Sequence, residues 1–290
     1  MNTGHDKQKK ILEQMLQKKS MNHHAFIFTG PEYIGKYKIA NQFVKSLSEG
    51  EDNCDWQEIN QRVDSDITII ESLTEEKNGK VKQKNISVSQ IREAVRIFHL
   101  SADKKAKIII IKNAHKMTVG AQNALLKTLE EPPENAFLIL TTSEISNLLE
   151  TIVSRCFKIS FNLLEKEELQ RISNDEELID NAMGRPELLQ KIIADSEFSD
   201  WIKYSVEQLQ GLAKSSMGEK IDLAEALSKK NKSDLDIFLQ VWIWRIRKAA
   251  HKTKQYNLLK FASRVENVFH ELHLNNVNTR LLLEDLFLNV

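Results

Sequence analysis

The sequence predicts an α/β domain built on a doubly wound parallel sheet, followed by segments that are entirely helical. Three observations carry this. Lys107-Ile108-Ile109-Ile110-Ile111 holds four isoleucines in a row, a pattern that suits a strand buried on both faces, as in a parallel sheet. Short apolar runs at 25–28, 67–70, 137–142 and 157–161 alternate with helical stretches over residues 1–161. After Phe161 no strand pattern recurs.

At 290 residues the chain accommodates two or three domains with a sizeable core. Apolar residues are 41% and charged residues 28%, an ordinary balance for a soluble protein and well outside the disordered class. The formal net charge is zero, which argues against a protein that holds nucleic acid through a diffuse positive field. Cys54 and Cys156 stand far apart and make neither a disulfide framework nor a four-ligand zinc motif, which fits a reducing compartment. No apolar run reaches transmembrane length, and residues 1–20 lack the apolar core of a signal peptide. A cytoplasmic location is expected.

Taken in order, residues 8–19 place Ile11, Leu12, Met15 and Leu16 on one helical face. The strand Ala25-Phe26-Ile27-Phe28 runs into Gly30-Pro31-Glu32-Tyr33-Ile34-Gly35-Lys36-Tyr37, with a helix expected over 38–47. Ile67-Thr68-Ile69-Ile70 is the second strand, and the polar run 71–85 reads as a surface excursion. Ser87 and Gln90 have capping-box spacing, and Val88, Ile91, Val95 and Phe98 share one face of a helix running to about Leu100. The isoleucine strand follows, then a helix with Ala121, Ala124, Leu125, Thr128 and Leu129 on one face, stopped by Pro132-Pro133. Phe157-Lys158-Ile159-Ser160-Phe161 alternates, as a strand exposed on one side does. Short helices are expected over 162–198 around Gly184-Arg185-Pro186. A long helix carries Phe238, Val241, Trp242, Arg245, Ile246 and Ala249, and Asn278 is placed to cap a last helix with Leu282, Leu283, Leu286 and Phe287. The domain boundaries implied are 1–161 (α/β), 162–198 (small helical lid) and 199–290 (helical C-terminal domain).

Strand, glycine-bounded loop, then helix is the setting in which GxxxxGK[ST] cradles phosphate. The glycines let backbone N–H groups approach the oxygens, the helix dipole helps, and the lysine adds a point charge. Gly30, Gly35 and Lys36 satisfy the pattern, but Tyr37 replaces the small hydroxyl that would ligate Mg²⁺. Two readings stand for this loop: residual ATP or ADP binding, or a turn that now only packs.

Several stretches together resemble the delta-prime subunits of the bacterial DNA polymerase III clamp loader, a branch of the AAA+ superfamily. They are His24-Ala25-Phe26-Ile27-Phe28-Thr29-Gly30, the run Asn123-Ala124-Leu125-Leu126-Lys127-Thr128-Leu129-Glu130-Glu131-Pro132-Pro133, Ser154-Arg155-Cys156, Gly184-Arg185-Pro186 and the segment 276–284, which opens at Asn276. The resemblance covers most of the chain. It implies a P-loop NTPase-like sheet domain, a helical lid and a helical collar. In hydrolysing subunits of that family an acidic pair follows the third strand, one acid holding Mg²⁺ and the other activating water. Lys112 and Asn113 stand at those positions here, and neither can be a hard anionic ligand or a general base. Tyr37 is a further loss, and Glu187 stands where the lid arginine of hydrolysing subunits is sought.

The resemblance also implies that Arg155, flanked by Ser154 and Cys156, projects as a finger into a neighbouring subunit's ATP site. A guanidinium suits this because it is always charged and binds phosphate oxygens bidentately. The implied partners are tau/gamma-type ATPase subunits and a delta subunit in a hetero-pentamer, with the sliding clamp and primer-template DNA reached through that complex. The chain would work within the DNA polymerase III holoenzyme and hydrolyse nothing alone. No cofactor is required, Mg²⁺ is not expected, and the family's zinc cluster is not expected because Cys54 is the one cysteine in its region. Two rivals are an active ATPase of the same fold and a stand-alone DNA-binding protein. His23, His24, Thr141 and Thr142 are read as structural. Trp242 and Trp244, beside Arg245, Arg247, Lys248, Lys252 and Lys254, read as a core stripe next to a solvated basic face in preference to a DNA or partner surface. Lys127 is open between a coupling residue and a solvated one.

Overall fold

A computed structural model describes residues 4–17, 23–49, 51, 54, 66–77, 80–98, 106–272 and 277–289. The far ends of the helices expected near residue 19 and at Leu100, and Asn276, lie outside the described residues. The chain divides into two compact units, 1–189 and 190–290.

In the first unit α1 (Asp6–Gln17) precedes β1 (Ala25–Thr29), α2 (Lys36–Glu49) and β2 (Ile67–Ile70). Next come β3 (Thr74–Lys77), β4 (Lys80–Gln83), α3 (Val88–Phe98), β5 (Lys107–Ile111), α4 (Val119–Glu130) and β6 (Ala136–Thr142). After these follow α5 (Glu150–Val153), β7 (Phe157–Ser160), α6 (Lys166–Leu169), α7 (Glu176–Asn181) and the start of α8 (Pro186–Ala194). Five strands form one parallel sheet in the order β2-β5-β6-β1-β7.

Side chains of a strand alternate between sheet faces, and the two faces of this sheet bury separate cores. Ala25, Ile27, Ile109, Ile111, Leu138 and Leu140 meet Ile91 and Phe98 of α3 and Leu125 and Leu129 of α4. Phe26, Phe28, Ile108, Ile110 and Ile139 meet Leu12 of α1 and Ile39, Phe43 and Val44 of α2. This two-sided burial is why the isoleucine run makes a strand rather than an amphipathic helix, at roughly 1.5–3 kcal/mol per buried large side chain. Edge strand β7 buries Ile159 and exposes Lys158 and Ser160, as its alternation predicts.

Local signals behave as their chemistry dictates. At α3 the Ser87 N–H donates to Gln90 Oε1 at 3.0 Å and the Gln90 N–H to Ser87 Oγ at 3.3 Å, a reciprocal capping box. The Thr118 hydroxyl caps α4 by accepting from the Ala121 N–H at 3.2 Å. One departure is the polar run 71–85, in which β3 and β4 pair antiparallel with Glu75 opposite Lys82. Residues 162–189 contribute a small core of their own from Leu164, Leu169, Ile179, Ala182 and Leu189.

The second unit contains α9 (Ser196–Gly211), α10 (Met217–Ser228), α11 (Lys232–Thr253), α12 (Tyr256–Glu271) and α13 (Thr279–Leu288). Trp242 of α11 is wholly buried, its rings packed on Phe238 and Phe287, and its indole N–H donates to Ser205 O at 2.8 Å. Arg247, Lys248, Lys252 and Lys254 are exposed, and Arg247 pairs with Glu266 at 2.6 Å. Trp242 is thus core beside a solvated basic face. Asn278 caps α13, accepting from the N–H groups of Arg280 and Leu281 at 3.1 and 3.3 Å.

Candidate functional site

In an open parallel sheet the crevice for ligands lies beyond the carboxyl ends of the strands. There the chain leaves β1 at Gly30, whose φ is 149° and where a Cβ would stand 2.2 Å from Phe161 O. Only glycine lets the two backbones approach so closely. The loop ends at Gly35 with φ 97°, again a glycine conformation, and Gly35 O accepts the first bond of α2 from the Ile39 N–H at 3.1 Å. Lys36 is buried and folds back, its ammonium donating to Gly30 O at 2.7 Å and Pro31 O at 2.5 Å. Burial pushes its pKa down to about 8. Burial also raises the Tyr37 phenol above its ordinary value, so Tyr37 is a neutral phenol at physiological pH.

Lys112 and Asn113 follow β5 into the same crevice. The Lys112 ammonium lies 4.3 Å from the centre of the Tyr37 ring and 2.6 Å from Glu71 Oε2, just after β2. Asn113 is left-handed at φ 51°, which asparagine tolerates, and its N–H donates to Thr141 Oγ1 at 3.2 Å. Thr142, fully buried, has Oγ1 3.2 Å from His115 Nδ1 and accepts from the Glu144 N–H at 3.1 Å. Burial drives the His115 pKa down to about 4, so its ring is neutral. Both threonines are engaged locally.

Helix α8 closes this group. The Glu187 N–H donates to Tyr33 O at 3.0 Å. Burial raises the pKa of the Glu187 carboxyl. At the end of β5 the Lys112 ammonium is thus ion-paired with Glu71 and set over the neutral phenol of Tyr37.

Arg155 lies outside this cluster, in the turn between α5 and β7. It is exposed, donating through Nη1 to Thr151 O at 3.0 Å and through Nη2 to Glu130 Oε1 at 2.8 Å. Ser154 caps α5, its hydroxyl donating to Thr151 O at 3.2 Å. Cys156 packs against the sheet core, and burial pushes its thiol up to about 12. The glycine loop, Tyr37, Lys112 and Asn113 therefore come together, and Arg155 stands apart on Glu130. Sequence reasoning did not find Glu71, His115 or Glu130. Nor did it find the bond from the Glu187 N–H to Tyr33 O, because each pairing depends on strands or helices distant in sequence. Among the described residues no group of three or more His, Cys, Asp or Glu is placed to hold a metal ion. No helix among them is long and apolar enough to cross a membrane.

The sheet order and the glycine loop after its first strand define an AAA+ P-loop NTPase-like fold, continued by a small helical segment and a helical second unit. The chain belongs to the family described as DNA polymerase III, delta subunit, which matches residues 4–165, more than half of its length. It is 31% identical to the DNA polymerase III subunit tau of Bacillus subtilis over 169 residues, 56% of this chain and 28% of that one. It is 30% identical to the delta' subunit of the same organism over 164 residues, 56% of this chain and 48% of that one. The matches thus span less than half the length of these curated relatives. A crystal structure of a gamma subunit-related protein from Thermotoga maritima has the same fold, with a TM-score of 0.54 at 18% identity, covering 97% of this chain and 98% of that one.

Proposed function

We propose that this chain is a non-hydrolysing, delta-prime-type subunit of a DNA polymerase III clamp loader, and that it supplies Arg155 in trans to the ATP site of a neighbouring subunit. The observation that carries the reading is at the end of β5, where Lys112 is held on Glu71 and over Tyr37 in place of a magnesium-binding acid. Neither Lys112 nor Asn113 is an anionic metal ligand or a base that could activate water, and the nearby Glu71 carboxylate is taken up by Lys112. Arg155 supports the second half: it is exposed on a short helix–strand turn, and its current partner is a surface carboxylate that a phosphate could replace.

In this reading the partners are tau/gamma-type ATPase subunits and a delta subunit in a hetero-pentamer, with the sliding clamp and primer-template DNA engaged through the assembly. The chain needs no nucleotide, Mg²⁺ or Zn²⁺ of its own and works in the cytoplasm. The test is reconstitution with the ATPase and delta subunits, comparing wild type with Arg155→Ala. At the one site served by the finger, hydrolysis should fall by about 10³–10⁵, the range such fingers supply. Normal assembly with unchanged turnover at every site would refute the finger. Mg²⁺-dependent ATP turnover by the purified chain, abolished by Lys36→Ala, would refute the non-hydrolysing role.

A further inference from the structure

Arg155 is held from two sides, and the two holds differ in kind. Its Nη1 donates to Thr151 O at 3.0 Å, four residues back in α5, so this bond belongs to the arginine's own turn. Its Nη2 donates to Glu130 Oε1 at 2.8 Å, and Glu130 is the last residue of α4, 25 positions away. Neighbouring contacts fix the place of Glu130. Leu129 is buried in the sheet core and its carbonyl accepts from His24 Nε2 at 3.0 Å, while the Glu131 N–H donates to Lys127 O at 2.9 Å. On the other side the Arg155 N–H donates to Ile152 O at 3.1 Å, and Cys156 packs against the same core. The fold itself therefore sets an anion against this guanidinium. Both side chains remain open to solvent, 37% for Arg155 and 52% for Glu130, so a second anion can reach the pair.

We propose that Glu130 is a latch on Arg155: its carboxylate holds the guanidinium in the free subunit, and the phosphate of a neighbour's nucleotide must take its place. The inference deepens the finger reading and rests on it. Engaging the phosphate costs the bond to Glu130 Oε1, and the displaced carboxylate stays near the incoming phosphate as a like charge. Both effects oppose nucleotide at the neighbouring site. The bond to Thr151 O lies within the arginine's own turn and need not break, so the guanidinium keeps its placement when the carboxylate leaves. A solvent-exposed ion pair is weak, as an exchangeable latch requires, and its strength corresponds to about a two- to fivefold competition with phosphate.

The experiment uses the full chain reconstituted with the ATPase and delta subunits, as wild type, Glu130→Gln, Arg155→Ala and the double variant. ATP hydrolysis is followed against ATP concentration, and the component that Arg155→Ala removes is the one analysed. Glu130→Gln keeps the shape of the side chain and loses the charge. It should lower the half-saturating ATP concentration of that component by about two- to fivefold without lowering its kcat. The gain should shrink as salt is raised, because exposed charges are screened. In the Arg155→Ala background Glu130→Gln should change nothing. A gain in affinity that depends on Arg155 is not what loss of a merely structural contact produces. An unchanged or raised half-saturating concentration in Glu130→Gln, a fall in kcat, or the same shift with and without Arg155 would overturn the latch. Arg155→Ala with full turnover at every site would instead refute the finger itself, so the two failures are distinguishable.

Discussion

Replacing Gly30 by alanine tests whether the glycine loop is held as a rigid part of the sheet. The new Cβ would stand 2.2 Å from Phe161 O and 3.1 Å from Phe161 C, closer to backbone than any Cβ sits. The loop cannot step aside freely. The Gly30 N–H donates to Thr142 O at 3.2 Å, and the Phe161 N–H donates to Thr29 O at 2.8 Å, so both neighbours of β1 pin it. Relief costs about one backbone hydrogen bond, roughly 0.5–1.5 kcal/mol. The φ of 149° adds strain of about 1–3 kcal/mol for a residue with a Cβ. Together these give about 2–4 kcal/mol, which for a unit of this size lowers Tm by roughly 5–15 °C. Gly35→Ala is the internal control. Its φ of 97° is strained, but nothing lies within 4 Å of the added carbon, so only the strain remains. Thermal melts followed by far-ultraviolet circular dichroism would read both variants. A Gly30→Ala melt within 2 °C of the parent, or a Gly35→Ala melt lower than that of Gly30→Ala, would refute the reasoning.

Trp242→Ala should destabilise the second unit by about 3–5 kcal/mol, the cost of a large aromatic cavity, while Trp242→Phe should cost about 1 kcal/mol for the lost bond to Ser205 O; urea unfolding followed by circular dichroism checks the ordering. His115, neutral in the folded protein because burial holds its pKa near 4, binds a proton in the unfolded chain below its ordinary value of 6.5. The unfolded state therefore takes up more protons between these limits. Its contribution to stability is complete above about pH 6.5 and is lost as the pH falls toward 4, and His115→Asn should flatten that part of the stability–pH curve.

Much of the fold was legible because its signals are local. Four isoleucines can be satisfied only by burial on two faces, and the capping pairs at Ser87–Gln90 and at Asn278 act within three residues of the chain. The β3–β4 hairpin was missed for a different reason. Its strands read Thr74-Glu75-Glu76-Lys77 and Lys80-Val81-Lys82-Gln83, with no apolar alternation to mark a buried face, and pairing is signalled only by the Asn78-Gly79 dipeptide between them.

The site divides along the same line. That Tyr37, Lys112 and Asn113 stand where the family resemblance leads one to look for a hydroxyl and two acids could be read from residue identity alone. What each replacement pairs with could not. Lys112 finds Glu71 because β2 lies beside β5, an adjacency set by the crossover order of the sheet rather than by sequence proximity. Arg155 rests on Glu130 because the end of α4 packs near the turn into β7. Glu187 was conspicuous as a residue of the wrong sign at the lid, yet the backbone bond that ties it to the loop, its N–H on Tyr33 O, depends on where α8 begins and leaves no trace in residue identity.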